Sequence, residues 1–163
     1  MSKGQLRELL AEMDFILRVA GELHQAIEEM SARVASADPQ MELVLAVALN
    51  IARFYTAVED VLEHIVSVFD EYKPQGPSWH TGLLRLAASK TPERPAVISE
   101  ATYDKLDELR SFRHVVYRIY RRPLNWEHME RLVLTVNDTM TLVRTELADF
   151  GRFLDEALAQ TER

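Results

Sequence analysis

The sequence contains no cysteine, and only five glycines and six prolines occur among its 163 residues. The absence of cysteine excludes a disulfide framework, a thiolate metal site and a cysteine nucleophile. The scarcity of glycine and proline argues against low-complexity disorder. The longest uninterrupted apolar run, 43–49, is far shorter than the roughly 20 residues of a membrane helix. The N-terminal residues also lack the apolar stretch of a secretory signal, so we expect a cytoplasmic protein with no membrane association.

Apolar residues recur at steps of three and four along most of the chain, which predicts helices and not strands. The predicted helices span about 6–30, 40–72, 79–89, 100–121 and 126–159. Hydrophobic residues make up 47% of the chain, enough to bury a sizeable core. We therefore expect an all-α, up-and-down bundle of about five helices, forming one domain over residues 1–163. The first half of the second helix, MELVLAVALNIARF, is apolar on more than one face, which predicts a central position in the bundle.

Charge is unevenly distributed along the sequence. The chain has 26 acidic and 19 basic residues and a formal net charge of -7, which argues against a broad nucleic-acid-coating surface. The segment LRSFRHVVYRIYRR, 109–122, nevertheless contains five of the arginines and none of the acidic residues. This pattern favours a narrow basic site on an acidic body, with local phosphate capture and strong salt dependence.

A helical projection divides the basic segment into two faces. The apolar side chains share the face predicted to contact the core: Leu109, Phe112, Val116 and Ile119. The polar side chains share the opposite face: Arg110, His114, Tyr117 and Arg121. Arg113 and Tyr120 lie at the border between the two faces.

Arginine and histidine one turn apart suggest phosphate chemistry. A guanidinium matches a phosphate with two parallel donors, and an imidazole takes up a proton near neutral pH. We predict that His114 deprotonates a ribose 2′-hydroxyl while Arg110 and Arg113 hold the phosphate, which would cleave RNA without a metal or cofactor. Tyr117, Tyr120 and Arg121 are candidate phosphate-binding or modification sites. The alternative interpretation is a solvated basic face that pairs with acidic neighbours such as Asp107 and Glu108.

Two other stretches are candidate supports for this site. Tyr55, Glu59 and Glu63 lie at successive four-residue steps, as either a polar seam or a solvated face. If the seam is buried its charges need partners, and we predict that Glu59 pairs with Arg110 or Arg113. Trp79-His80 follows a proline-rich loop; either Trp79 anchors that loop on the core, or His80 forms a second wall of the cleft.

Metal binding is not predicted for any of the five histidines. None has a glutamate three residues before it, as di-iron bundles require, and no His-Glu-x-x-His occurs.

Several stretches in order resemble the HepT-like HEPN proteins, which are helical proteins of prokaryotic toxin–antitoxin modules. They are FYTAVEDVLEHI (54–65), SWHTGLL (78–84), RPAVIS (94–99), LRSFRHVVYRIY (109–120) and LNW (124–126). The resemblance implies a five-helix bundle, a homodimer and ribonuclease activity from an Arg-x(4–6)-His motif. It also implies a partner, a minimal (MNT-type) nucleotidyltransferase that acts as antitoxin, in some systems by attaching AMP to a tyrosine.

The motif can be transferred residue by residue. His114 matches the motif histidine, and Arg110 precedes it with three residues between, one fewer than in the family pattern. Tyr117 and Tyr120 follow it at three and six residues, whereas the family places a tyrosine at two. The resemblance thus implies an endoribonuclease toxin of a type II/VII-like pair. The altered spacing leaves the alternative of a non-catalytic helical adaptor that binds the nucleotidyltransferase.

Overall fold

The structure is a computed structural model that describes residues 2–35, 38–70, 75–118 and 123–160. These residues form five helices: α1 (Lys3–Arg33), α2 (Met41–Phe69), α3 (Trp79–Ala87), α4 (Glu100–Val116) and α5 (Trp126–Gln160). No strand occurs within the described ranges. The predicted all-α bundle is therefore confirmed.

Helix α2 is the centre of the bundle, because each of the other four helices packs against it. Its buried residues lie on several faces, as the apolar pattern of its first half predicts. Within the described chain, α2 is the one helix long and apolar enough to cross a membrane. Half of the most apolar stretch of α2 is buried inside the bundle. The core helix of a soluble protein meets the same criteria of length and composition.

Long-range contacts show that α1 runs antiparallel to α2 and to α5, and that α4 runs antiparallel to α5. The imidazole of His64 on α2 pairs with Glu12 near the start of α1. His24 on α1 bonds Asn137 on α5 at 2.8 Å. Lys105 on α4 pairs with Asp138 on α5 at 2.9 Å. This is the predicted up-and-down arrangement, and it places α4 in the groove between α2 and α5.

The start of α4 is fixed by a cap and by α5. Ser99 is the N-cap, and its hydroxyl accepts the backbone N–H of Thr102 at 3.2 Å. A carboxylate oxygen of Glu146 on α5 accepts both the Ser99 N–H and the Thr102 hydroxyl, at 3.2 and 2.9 Å. A serine cap and a carboxylate satisfy helix N–H groups that have no partner inside the helix. The register of α4 relative to its neighbours is set here.

Helix α4 is shorter than predicted. It ends at Val116, and the Arg118 N–H bonds the Val115 carbonyl at 3.0 Å in a tighter turn. Two consecutive β-branched residues, Val115 and Val116, have low helix propensity, which agrees with an end at this point. Tyr117 is the C-cap residue, so the predicted continuation of the helix through this residue is wrong, although its side chain is exposed, as its predicted place opposite the core implies.

The loop between α3 and α4 is anchored by a buried ion pair. Arg94 donates through Nε and Nη2 to one carboxylate oxygen of Asp70 at 3.0 and 2.6 Å. The same guanidinium donates to the carbonyls of Leu86, Ser89 and Pro95. The Arg94 side chain is 0% exposed. The pair therefore holds the end of α2 to the loop that leads into α4.

Replacement of Arg94 tests this anchor. Arg94→Ala leaves the Asp70 carboxylate buried without its counter-charge, and we expect the free energy of unfolding to fall by about 3–5 kcal/mol. The matched control is Arg152→Ala, which removes a solvent-exposed arginine paired with Asp149 on the same helix and should leave the urea midpoint nearly unchanged. Equal midpoints for the two variants in urea denaturation would contradict the anchoring role.

Candidate active site

A buried carboxylate joins the three helices that form the site. Glu59 on α2 is 3% exposed. It accepts the Tyr55 hydroxyl at 2.7 Å, Nδ1 of His80 at 2.5 Å and Nη1 of Arg113 at 2.9 Å. These donors come from α2, α3 and α4. Because a buried charge is stable only when it is paired and hydrogen-bonded, Glu59 requires α3 and α4 to dock on α2.

Arg113 completes this cluster from α4. Its Nη1 also donates to the Thr56 hydroxyl at 3.3 Å, and its guanidinium carbon lies 4.9 Å from the centroid of the Tyr55 ring. Its Nη2 lies 3.2 and 3.1 Å from the two ring nitrogens of His80. The predicted pair of Glu59 with one of the helix-four arginines is present, and the arginine is Arg113. Glu63, the third residue of the predicted seam, is not among these partners.

Burial changes the acidity of Tyr55. Desolvation, followed by its hydrogen bond to the Glu59 carboxylate, raises the pKa of the Tyr55 hydroxyl far above its usual value of about 10. The hydroxyl therefore stays protonated and acts as a permanent donor to Glu59.

His80 lies between the buried carboxylate and His114. Trp79 is partly buried against the core and its ring lies 3.7 Å from that of His80, as expected for an anchor of the preceding loop. His80 retains 18% exposure, and its ring centroid is 6.5 Å from that of His114 in an edge-to-face arrangement. The structure therefore combines both interpretations of the Trp79-His80 pair, while a catalytic role for His80 stays a prediction.

His114 is exposed on α4. Partial burial, and then the positive charges of Arg110 and Arg113, lower the pKa of its imidazole below the usual 6.5. His114 is therefore mostly neutral at pH 7, the form that accepts a proton. His80 and Arg118 act in the same direction.

Arg110 is held on one side only. Its Nε donates to Asp107 at 2.7 Å, and its Nη2 makes a long contact of 3.4 Å with the Ser111 hydroxyl. Arg110 therefore pairs with Asp107, as the alternative interpretation predicts. Glu108 instead accepts a hydrogen bond from the Thr135 hydroxyl on α5. Within the described chain Nη1 of Arg110 has no hydrogen-bond partner, so part of this guanidinium remains available to a ligand.

Of the remaining predicted site residues on helix four, the structure describes Tyr117. The Tyr117 side chain is 70% exposed just beyond the end of α4. Tyr120 and Arg121 lie outside the described residues. Within the described ranges, no group of histidine and carboxylate side chains could hold a metal ion.

Sequence reasoning missed Thr56 as a member of the cluster and treated Tyr55 only as part of the seam. Thr56 lies three residues before Glu59, so the two share a helix face. A polar residue at this spacing within an apolar helix is the signal that could have identified it.

A family model described as HepT-like protein matches residues 46–154, well over half of the chain. The chain belongs to the HepT-like family. Neither the curated proteins nor the solved structures contain a significant match. The matched range of this HepT-like protein includes all of the cluster around Glu59, from Tyr55 to His114.

The electrostatic effect of Arg110 on His114 can be measured directly. Because the Arg110 charge disfavours the imidazolium, Arg110→Gln should raise the pKa of His114 towards its usual value of 6.5. An NMR titration of the histidine ring protons measures this shift without any assay of activity. Arg152→Gln, which removes an exposed arginine of α5, is the matched control and should leave the titration unchanged. No shift in Arg110→Gln would show that Arg110 does not influence His114.

Proposed function

We propose that this HepT-like protein is a metal-independent endoribonuclease, the toxin of a type II/VII-like pair with an MNT-type nucleotidyltransferase antitoxin. The observation that carries the proposal is the exposed imidazole of His114 beside the guanidiniums of Arg110 and Arg113, with a pKa lowered by partial desolvation and by their positive charges. A neutral base next to fixed positive charge suits the removal of a proton from a hydroxyl adjacent to a phosphodiester.

The residues divide the chemistry between them. His114 takes the proton of the ribose 2′-hydroxyl, whose oxygen then attacks the neighbouring phosphorus. Arg110, whose Nη1 has no hydrogen-bond partner within the described chain, binds the non-bridging oxygens of the scissile phosphate and stabilises the charge of the transition state. Tyr117, Tyr120 and Arg121 would extend phosphate binding or carry a modification.

Arg113 contributes to this chemistry in a different way from Arg110. Its side chain is only 12% exposed, and its guanidinium is already bound by Glu59 and Thr56. We therefore assign Arg113 to positioning: it joins α4 to α2 and supplies positive charge beside His114. A direct contact between Arg113 and the phosphate would require the Glu59 pair to open.

Cleavage of RNA tests the proposal. We expect the purified wild type to cleave RNA in the presence of EDTA, and His114→Ala to lower the rate by about 10²–10⁴-fold, the usual contribution of a general base. His128→Ala, which removes another exposed histidine, is the matched control and should retain activity. Equal rates for the wild type and His114→Ala, or no cleavage by the wild type, would refute the ribonuclease assignment.

A second function, the non-catalytic adaptor, is favoured by the pairing of the site arginines. Arg113 is bound to Glu59 and Arg110 to Asp107, so both positive charges have intramolecular counter-charges. In this alternative the same helix face binds the nucleotidyltransferase and no RNA is cut.

The proposed homodimer is supported by an exposed apolar stripe on α2, formed by Met41, Leu45 and Leu49. Met41 and Glu59 are five helical turns apart on the same side of α2, so the stripe is aligned with the site. Glu42 and Arg53, at the two ends of the stripe, are exposed and have no ion pair within the described chain. Antiparallel pairing of two copies places Leu45 against Leu49 and brings these opposite charges together, as a self-complementary two-fold contact requires.

Native mass spectrometry tests the assembly proposals together. We expect the chain alone to give a dimer of twice 18.8 kDa, and Leu45→Glu to give the monomer because it buries a charge in the contact. Leu134→Glu, at an exposed leucine of α5, is the matched control and should stay dimeric.

After co-expression with the nucleotidyltransferase, added nucleotide on Tyr117 or Tyr120 supports a regulated toxin. A stable unmodified complex whose free chain does not cleave RNA supports the adaptor.

A further inference from the structure

The imidazole of His80 has one nitrogen fixed by the protein. Nδ1 lies 2.5 Å from the buried Glu59 carboxylate, which can only accept a hydrogen bond. The hydrogen on this side of the ring is therefore on Nδ1, and Nε2 is the nitrogen that can exchange a proton. A carboxylate partner on one ring nitrogen is the usual way in which a protein fixes the tautomer and orientation of a histidine.

Arg113 does not occupy the lone-pair direction of Nε2. Its Nη2 is almost equidistant from the two ring nitrogens, at 3.2 Å from Nδ1 and 3.1 Å from Nε2. An atom so placed cannot lie in the ring plane, because the Cε1–H group lies between the two lone-pair directions. The guanidinium therefore lies across the face of the ring. Among the described residues, no hydrogen-bond partner of Nε2 lies in the plane of the ring.

His80 and His114 approach the same space from two helices. Their ring centroids are 6.5 Å apart, and the ring planes are 82° from parallel. At this separation both imidazoles can reach one phosphodiester linkage. The proposed mechanism gives His114 the 2′-hydroxyl side of that linkage and leaves the departing 5′-oxygen without a proton donor.

We propose that His80 is a second catalytic residue, the general acid that protonates the 5′-oxygen of the leaving strand. The inference rests on the ribonuclease function proposed above. The 2′-oxygen loses its proton to His114 and bonds to phosphorus; the bond from phosphorus to the 5′-oxygen breaks, and that oxygen takes the proton from Nε2 of the His80 imidazolium. The products are a 2′,3′-cyclic phosphate and a 5′-hydroxyl. His114 ends protonated and His80 neutral, and exchange with water restores both.

A sulfur-for-oxygen substitution in the substrate tests the proposal. Two RNA oligonucleotides are compared, one normal and one with sulfur in place of the 5′-bridging oxygen at the scissile linkage. A thiolate leaves without protonation, so it needs no general acid. We expect His80→Ala to slow cleavage of the normal RNA by about 100-fold or more and cleavage of the sulfur-containing RNA by only a few-fold. His114→Ala should slow both.

A second variant separates catalysis from folding. His80→Asn retains an N–H donor for Glu59 but has no group at the position of Nε2, so it should show the same selective loss with an unchanged thermal unfolding midpoint. Equal losses on both RNAs in the two His80 variants, or no loss, would overturn the general-acid assignment while the ribonuclease function stands. A wild type that cleaves neither RNA would refute the ribonuclease function and this inference with it.

Discussion

The burial of one negative charge constrains the whole site. Glu59 lies in the central helix, where an unpaired carboxylate would be strongly unfavourable. Its stability depends on donors from three elements: Tyr55 on α2, His80 on α3 and Arg113 on α4. The pairing that stabilises the carboxylate therefore also fixes how α3 and α4 dock, and so where His80 and His114 lie relative to each other. Structure and proposed chemistry depend on the same carboxylate.

The sequence predicts the helices well because each has a clear apolar period and a proline or a serine close to its first residue. It also predicts the Glu59 pair, since a carboxylate within an apolar helix needs a cation, and the acid-free segment 109–122 is the obvious source. The choice between Arg110 and Arg113 depends on the rotation of α4, which contacts with α5 set. The end of α4 at Val116 and the Arg94–Asp70 pair depend on tertiary contacts that local pattern does not encode.

The distribution of charge gives the two arginines of the site different roles. Arg113 is neutralised by a buried partner, so it contributes little to attraction of RNA from a distance. Arg110 keeps part of its guanidinium available and lies beside a mostly neutral histidine. On a chain with a net charge of -7, the proposed site would capture phosphate only at short range, and the proposed RNA binding should weaken with salt.

The ion pair between Glu59 and Arg113 joins residues 54 positions apart in the chain. Contacts of such sequence separation form only after the intervening loops have closed. During synthesis the residues of the cluster remain apart until α4 has left the ribosome and docked on α2. A truncated or partly unfolded chain would therefore contain the site residues up to His114 without an assembled site. The proposed activity would then be present only in the folded protein.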